Sequence, residues 1–96
     1  ASIDNTMSGP AVNDYYRAAS YYLAEGKDLK MAHQWITKAN ADAPRYWMLR
    51  TQALIEAELG MTTEAIATAK KSLDMAKEAG NMDYVRMNNA FIGANR

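Results

Sequence analysis

The sequence predicts an all-α fold, and three observations carry that prediction. No stretch alternates apolar and polar residues with the strict period of two that a half-buried strand requires. Apolar residues recur instead at three- and four-residue spacings, as in Ala65, Ile66, Ala69, Leu73 and Ala76. Gly26, Gly60 and Gly80 each follow a run rich in Ala, Leu, Glu and Lys. Glycine just past a helix takes the left-handed conformation at little cost, so each marks a helix end. Reading between these stops gives five helices, near 13–25, 28–40, 44–59, 62–79 and 81–94.

Residues 1–12 hold Ile3, Met7 and the pair Gly9-Pro10, and read as a linker or a short helical lead-in. In helix 13–25, two Tyr-Tyr pairs are too many neighbours for one core. Tyr15 and Tyr22 are expected inside, and Tyr16 and Tyr21 pointing away. Helix 28–40 starts at Asp28, a good N-cap, and carries a stripe of Leu29, Ala32, Ile36 and Ala39. Helix 44–59 is expected to hold Pro44 in its first turn. It is apolar over most of its circumference, through Tyr46, Trp47, Leu49, Ala53, Leu54, Ile55 and Leu59, which puts it at the centre of the domain. Helix 62–79 is expected to be capped by Thr62. It has Lys77 where a breaker would otherwise stand, and so is expected to run about a turn longer than the second helix of a standard helical-hairpin unit. Helix 81–94 begins at Asn81, with a predicted apolar stripe of Tyr84, Met87, Phe91 and Ala94. Its polar side carries Asp83, Arg86, Asn88, Asn89 and Asn95.

Of 96 residues only 14 are Leu, Ile, Val or Phe, a proportion that would suggest disorder if the net charge were high. The net charge is zero, and 18 Ala, 7 Met, 6 Tyr and 2 Trp supply most of the apolar content. One domain with an Ala-rich interior follows, with the Met expected mainly as adaptable core filler. With no Cys, neither a disulfide scaffold nor a zinc ribbon is available. Balanced charge leaves no basic footprint for nucleic acid, and no apolar run approaches the ~18 residues of a membrane span. The chain starts at Ala1 and shows no export signal, which fits an excised or processed domain.

An internal repeat organises these helices. Gly26 and Gly60 are 34 positions apart, and Ala32 and Ala65 are 33 apart. Within the first unit the order is Tyr15, Ala18, Ala19, Tyr22, then Ala32, Ile36, Ala39 and Pro44. This pattern resembles the tetratricopeptide repeat, in which small residues let paired helices approach and large ones fill beside them. The first turn, Gly26-Lys27-Asp28-Leu29, carries one residue more than the repeat expects. The second unit keeps Leu49, Ala53, Gly60 and Ala65 but departs from the pattern at Gln52, Glu56 and Ala69. The resemblance implies a right-handed TPR-like α-α superhelix formed by residues 13–96. It would comprise repeat one (13–43), repeat two (44–79) and a capping helix (81–94).

Three stretches, GPAVNDYYRAASYYLAEGKDL at 9–29, PRYWMLR at 44–50 and AIATAKKSLDMAKEAGNMDYVRMN at 65–88, carry a second resemblance. They are similar to the helical C-terminal segment of a bacterial cell-envelope protein family of unknown function. In that family the segment follows an export signal and a β-rich domain. The resemblance implies an exported, periplasmic location and brings no activity with it.

No catalytic constellation is legible. His33 is the sole histidine, with no second ligand or base motif spaced to it, and is expected as a surface or partly buried His beside Ile36. Glu56, Glu58 and Glu64 are expected as solvated helix charges, since positions two apart face different ways. With no phosphate loop, nucleophile elbow or metal cluster, neither enzymatic activity nor a cofactor is expected.

What remains is binding. In tetratricopeptide domains the first helix of each pair lines the concave face. The resemblance therefore singles out Tyr16, Ser20, Leu23 and Ala24 in unit one. In unit two it selects Trp47, Arg50, Leu54, Ala57 and Glu58, and in the last helix Tyr84 and Asn88. The Lys and Asn that grip a chain-terminal carboxylate in some members are replaced by Tyr16 and Ser20. A mixed aromatic and aliphatic face with one Arg suits a protein or peptide segment. The other expectation is a structural appendage that docks on a neighbouring β-rich domain or on a second copy.

Overall fold

A computed structural model describes residues 11–42 and 44–95. The sequence expectation for a lead-in over 1–12 therefore lies mostly outside the described residues; only 11 and 12 are inside, and they are helical. Five helices follow in order: α1 (Ala11–Glu25), α2 (Leu29–Asp42), α3 (Tyr46–Glu58), α4 (Thr62–Ala79) and α5 (Met82–Asn95). No strand occurs among the described residues.

The helix ends follow local backbone chemistry. Gly26, Gly60 and Gly80 have φ of 68°, 84° and 79°. After each glycine the next N–H reaches back five residues: Lys27 to the Tyr22 carbonyl, Met61 to that of Glu56, and Asn81 to that of Ala76. Carbonyls that would be orphaned at the ends of α1, α3 and α4 are satisfied this way. Two helix starts are as the sequence predicts. Asp28 Oδ1 accepts from the Met31 N–H and Asn81 Oδ1 from the Tyr84 N–H, each at 3.2 Å.

Two starts differ. Thr62 is the first helical residue of α4, behind Met61, which makes no side-chain cap. Pro44 lies outside α3, because its N-cap Arg45 is extended, with φ of −131° and ψ of 146°, and keeps both residues out of the helix. At 18 residues α4 is the longest of the helices as described, and it runs on through Lys77 to Ala79.

Helix α3 is central and touches each of the other four. On one side Ala19, Ala32, Ile36, Ala39, Met48 and Ile55 form a buried cluster, with Tyr15, Tyr22 and Trp35 packed around it. The Tyr22 and Trp35 rings meet edge-on, with centroids 4.9 Å apart. On the other side Ala53, Ala69 and Ile92 form a second cluster against Ile66, Leu73 and Phe91. Alanine at these contacts brings the helices close, and the aromatics fill beside them.

The last helix is rotated relative to its predicted stripe. Val85, Asn88 and Ile92 are buried, while Met87 and Ala94 are exposed. Two β-branched residues turn inward, and Asn88 can follow them because Ser72 on α4 accepts from its Nδ2 at 2.8 Å. Ser72 in turn donates to the Tyr46 carbonyl at 2.6 Å. Filler is also too broad a description of the methionines: Met48 is buried, but Met31, Met82 and Met87 are exposed.

Candidate functional site

Helix α3 presents two chemically different sides. At about 100° per residue, Trp47, Arg50, Leu54 and Glu58 fall along one side, and Leu49, Gln52 and Glu56 along the opposite one. The first group belongs to the predicted binding face, and the second was not predicted as a site.

On the first side, Tyr16, Leu23 and Trp47 are half-buried against the core cluster. The expectation that Tyr16 points fully away is thus corrected, whereas Tyr21 is exposed as expected. Ser20 and Leu54 are half-buried, and Glu58, like Ala24, is exposed. The Tyr46 ring meets the Trp47 ring at 4.9 Å and the Tyr84 ring at 5.0 Å, both edge-on. Asn81 Nδ2 holds the Tyr46 hydroxyl at 3.1 Å.

The Tyr84 phenol is pushed above its ordinary ionisation range, first by burial and then by the Tyr16 phenol. The Arg50 guanidinium opposes this, and Tyr46 adds to it. Side chains from α1, α3 and α5 therefore act together on the Tyr84 phenol. Arg50 Nη1 is buried with no hydrogen-bond partner among the described residues. Asn88 does not join this face: it is fully buried and bonded to Ser72, because α5 is turned to bury Val85 and Ile92.

The opposite side of α3 holds a polar network. Glu56 is 3% exposed, which corrects its reading as a solvated charge. Its Oε1 accepts from the Thr68 hydroxyl at 2.7 Å. Its Oε2 accepts from Gln52 Nε2 and from the His33 ring N–H, each at 2.9 Å. Gln52 Oε1 then accepts from Asn40 Nδ2 at 2.9 Å. His33 is partly buried, as expected, but it also has a carboxylate partner 23 positions away.

The network ties α2, α3 and α4 together. A buried carboxylate is tolerated only when ionic and hydrogen-bonded partners replace its water. The signal available in the sequence was that Gln52 and Glu56 both break the repeat pattern, four residues apart and hence on one helix face.

Beside this network a cavity of about 570 Å³ opens between α2 and α4, lined by Asn40, Leu49, Gln52 and Thr68 among others. None of the eleven residues of the predicted binding face borders it. Among the described residues no group of His, Asp or Glu could hold a metal ion, and no helix is long and apolar enough to cross a membrane. Compared with known proteins, the chain matches no family model, no curated protein and no solved structure.

Proposed function

We propose that this chain is a non-enzymatic, tetratricopeptide-like superhelical module that binds a protein segment on the face formed by α1, α3 and α5. The observation that carries the reading is Arg50. Its guanidinium acts on the Tyr84 phenol, as Tyr16 and Tyr46 also do; Nη1 is buried and unpartnered, and Arg50 is in no ion pair among the described residues. An unpaired buried N–H costs free energy that an incoming acceptor recovers. Arg within an aromatic surface is also a common anchor of protein interfaces. The segment bound is therefore one with a carboxylate flanked by apolar side chains. By the resemblance of its sequence to envelope proteins, the module acts in an exported setting.

Selection from a random peptide display library tests this. The wild-type chain should enrich peptides with Asp or Glu beside aliphatic or aromatic residues. The Arg50→Gln variant should bind those peptides at least about tenfold more weakly, the effect of losing a charge-assisted pair. Identical selections by the two proteins would overturn the assignment. Gln retains most of the stem, so folding is checked by far-UV circular dichroism.

A further inference from the structure

We propose that the cavity between α2 and α4 is a second binding site, for a small zwitterion with an apolar side chain, of the amino-acid or short-peptide class. At about 570 Å³ it falls within the ~300–1,000 Å³ typical of small-ligand pockets and has room for a dipeptide.

Its wall divides into an apolar part and a charged part. Pro44, Leu49 and Met75 supply the apolar part, with Leu49 buried at the base. Lys71 and Asp74 supply one charge of each sign, one helical turn apart on α4, and neither is ion-paired among the described residues. Residues three apart lie roughly 5–6 Å from each other on a helix surface. Their ends can therefore take the carboxylate and the ammonium of one small molecule.

Asn40 is the third polar element. It is about nine-tenths buried and lines the cavity, and its Oδ1 has no hydrogen-bond partner among the described residues. Its Nδ2 donates to Gln52, and Gln52 to Glu56, so the amide is held fixed in the cavity wall. The rigid network behind Asn40 means that little ordering is required on binding.

The test is a heteronuclear NMR titration of the ¹⁵N-labelled 96-residue chain, with L-leucyl-L-leucine, L-leucine and N-acetyl-leucinamide as probes. The dipeptide, the free amino acid or both should shift the amides of Thr37, Asn40, Lys71 and Met75 saturably at millimolar concentration, and which probe succeeds gives the ligand size. The acetylated amide, with neither charge, should bind at least about tenfold more weakly. Lys71→Glu, at an exposed position, should weaken binding by a similar factor, and Met75→Trp should abolish it by filling the cavity. Three results would each overturn the site: no saturable shift with either charged probe up to about 20 mM, equal binding of the uncharged analogue, or indifference to Lys71→Glu. Arg50→Gln should leave this titration unchanged, so the two sites stand or fall separately.

Discussion

Glu56 concentrates more stabilising contact in one side chain than any other polar residue described. Removing it leaves donors from three helices unpaired: His33 on α2, Gln52 on α3 and Thr68 on α4. Glu56→Ala should therefore lower unfolding free energy by about 3–5 kcal/mol, read from urea denaturation. His33→Ala should cost less, because His33 is a quarter exposed and the carboxylate keeps two neutral donors. Tyr84 makes a second prediction, in alkali. Its phenol ionises later in the folded chain than in the unfolded one, first because of burial and then because of Tyr16. Below the ordinary phenol value the favourable contribution is fully present. As pH rises through that value and on through the raised one, the unfolded chain loses its proton first and the contribution disappears. Urea midpoints measured across that alkaline window should fall with pH, and Tyr84→Phe should make the fall shallower.

At the level of the helix, the glycine stops do the dividing. A Cβ built at Gly60 meets nothing within 4 Å, so Gly60→Ala pays only for its φ of 84°. The cost should be about 1–2 kcal/mol, visible as a lower Tm with unchanged helix content. Backbone signals of this kind are local, and so Gly26, Gly60, Gly80, Asp28 and Asn81 could be read from the sequence with their roles. Thr62 and Pro44 were misplaced by a residue or two because either neighbour could have begun the helix. The face of α5 was read wrongly for a different reason. Pattern alone ranks Asn88 as polar and Met87 as apolar, and only the presence of Ser72 on a neighbouring helix reverses their places. The same holds for the Glu56 network. His33 and Glu56 are 23 positions apart, and no spacing rule joins them until α2 and α3 are packed. Tyr16, Arg50 and Tyr84 were grouped only through the resemblance to the tetratricopeptide pattern, which also placed Asn88 with them, whereas Asn88 is buried against Ser72.

At the scale of the molecule the helices form an elongated slab of 47 × 31 × 19 Å, with α3 in contact with every other helix. Its interior is built largely from alanine: Ala19, Ala32, Ala39, Ala53, Ala65, Ala69 and Ala76 are all buried. Methyl groups make smooth helix surfaces, and smooth surfaces can slide along one another at little cost. Hydrogen bonds are directional, and a shift of a single turn would break the bonds that Glu56 accepts from His33 on α2 and Thr68 on α4. The Glu56 network is thus the detent that stops α2, α3 and α4 from slipping in register, a role of buried polar groups separate from net stability. Replacing His33, Gln52, Glu56 and Thr68 together by Leu, Leu, Leu and Val should leave the far-UV helical signal intact. It should also broaden the amide resonances of α2–α4 and flatten the thermal transition, as one packing gives way to several of similar energy. Sharp resonances and an unchanged transition would show that alanine alone sets the register.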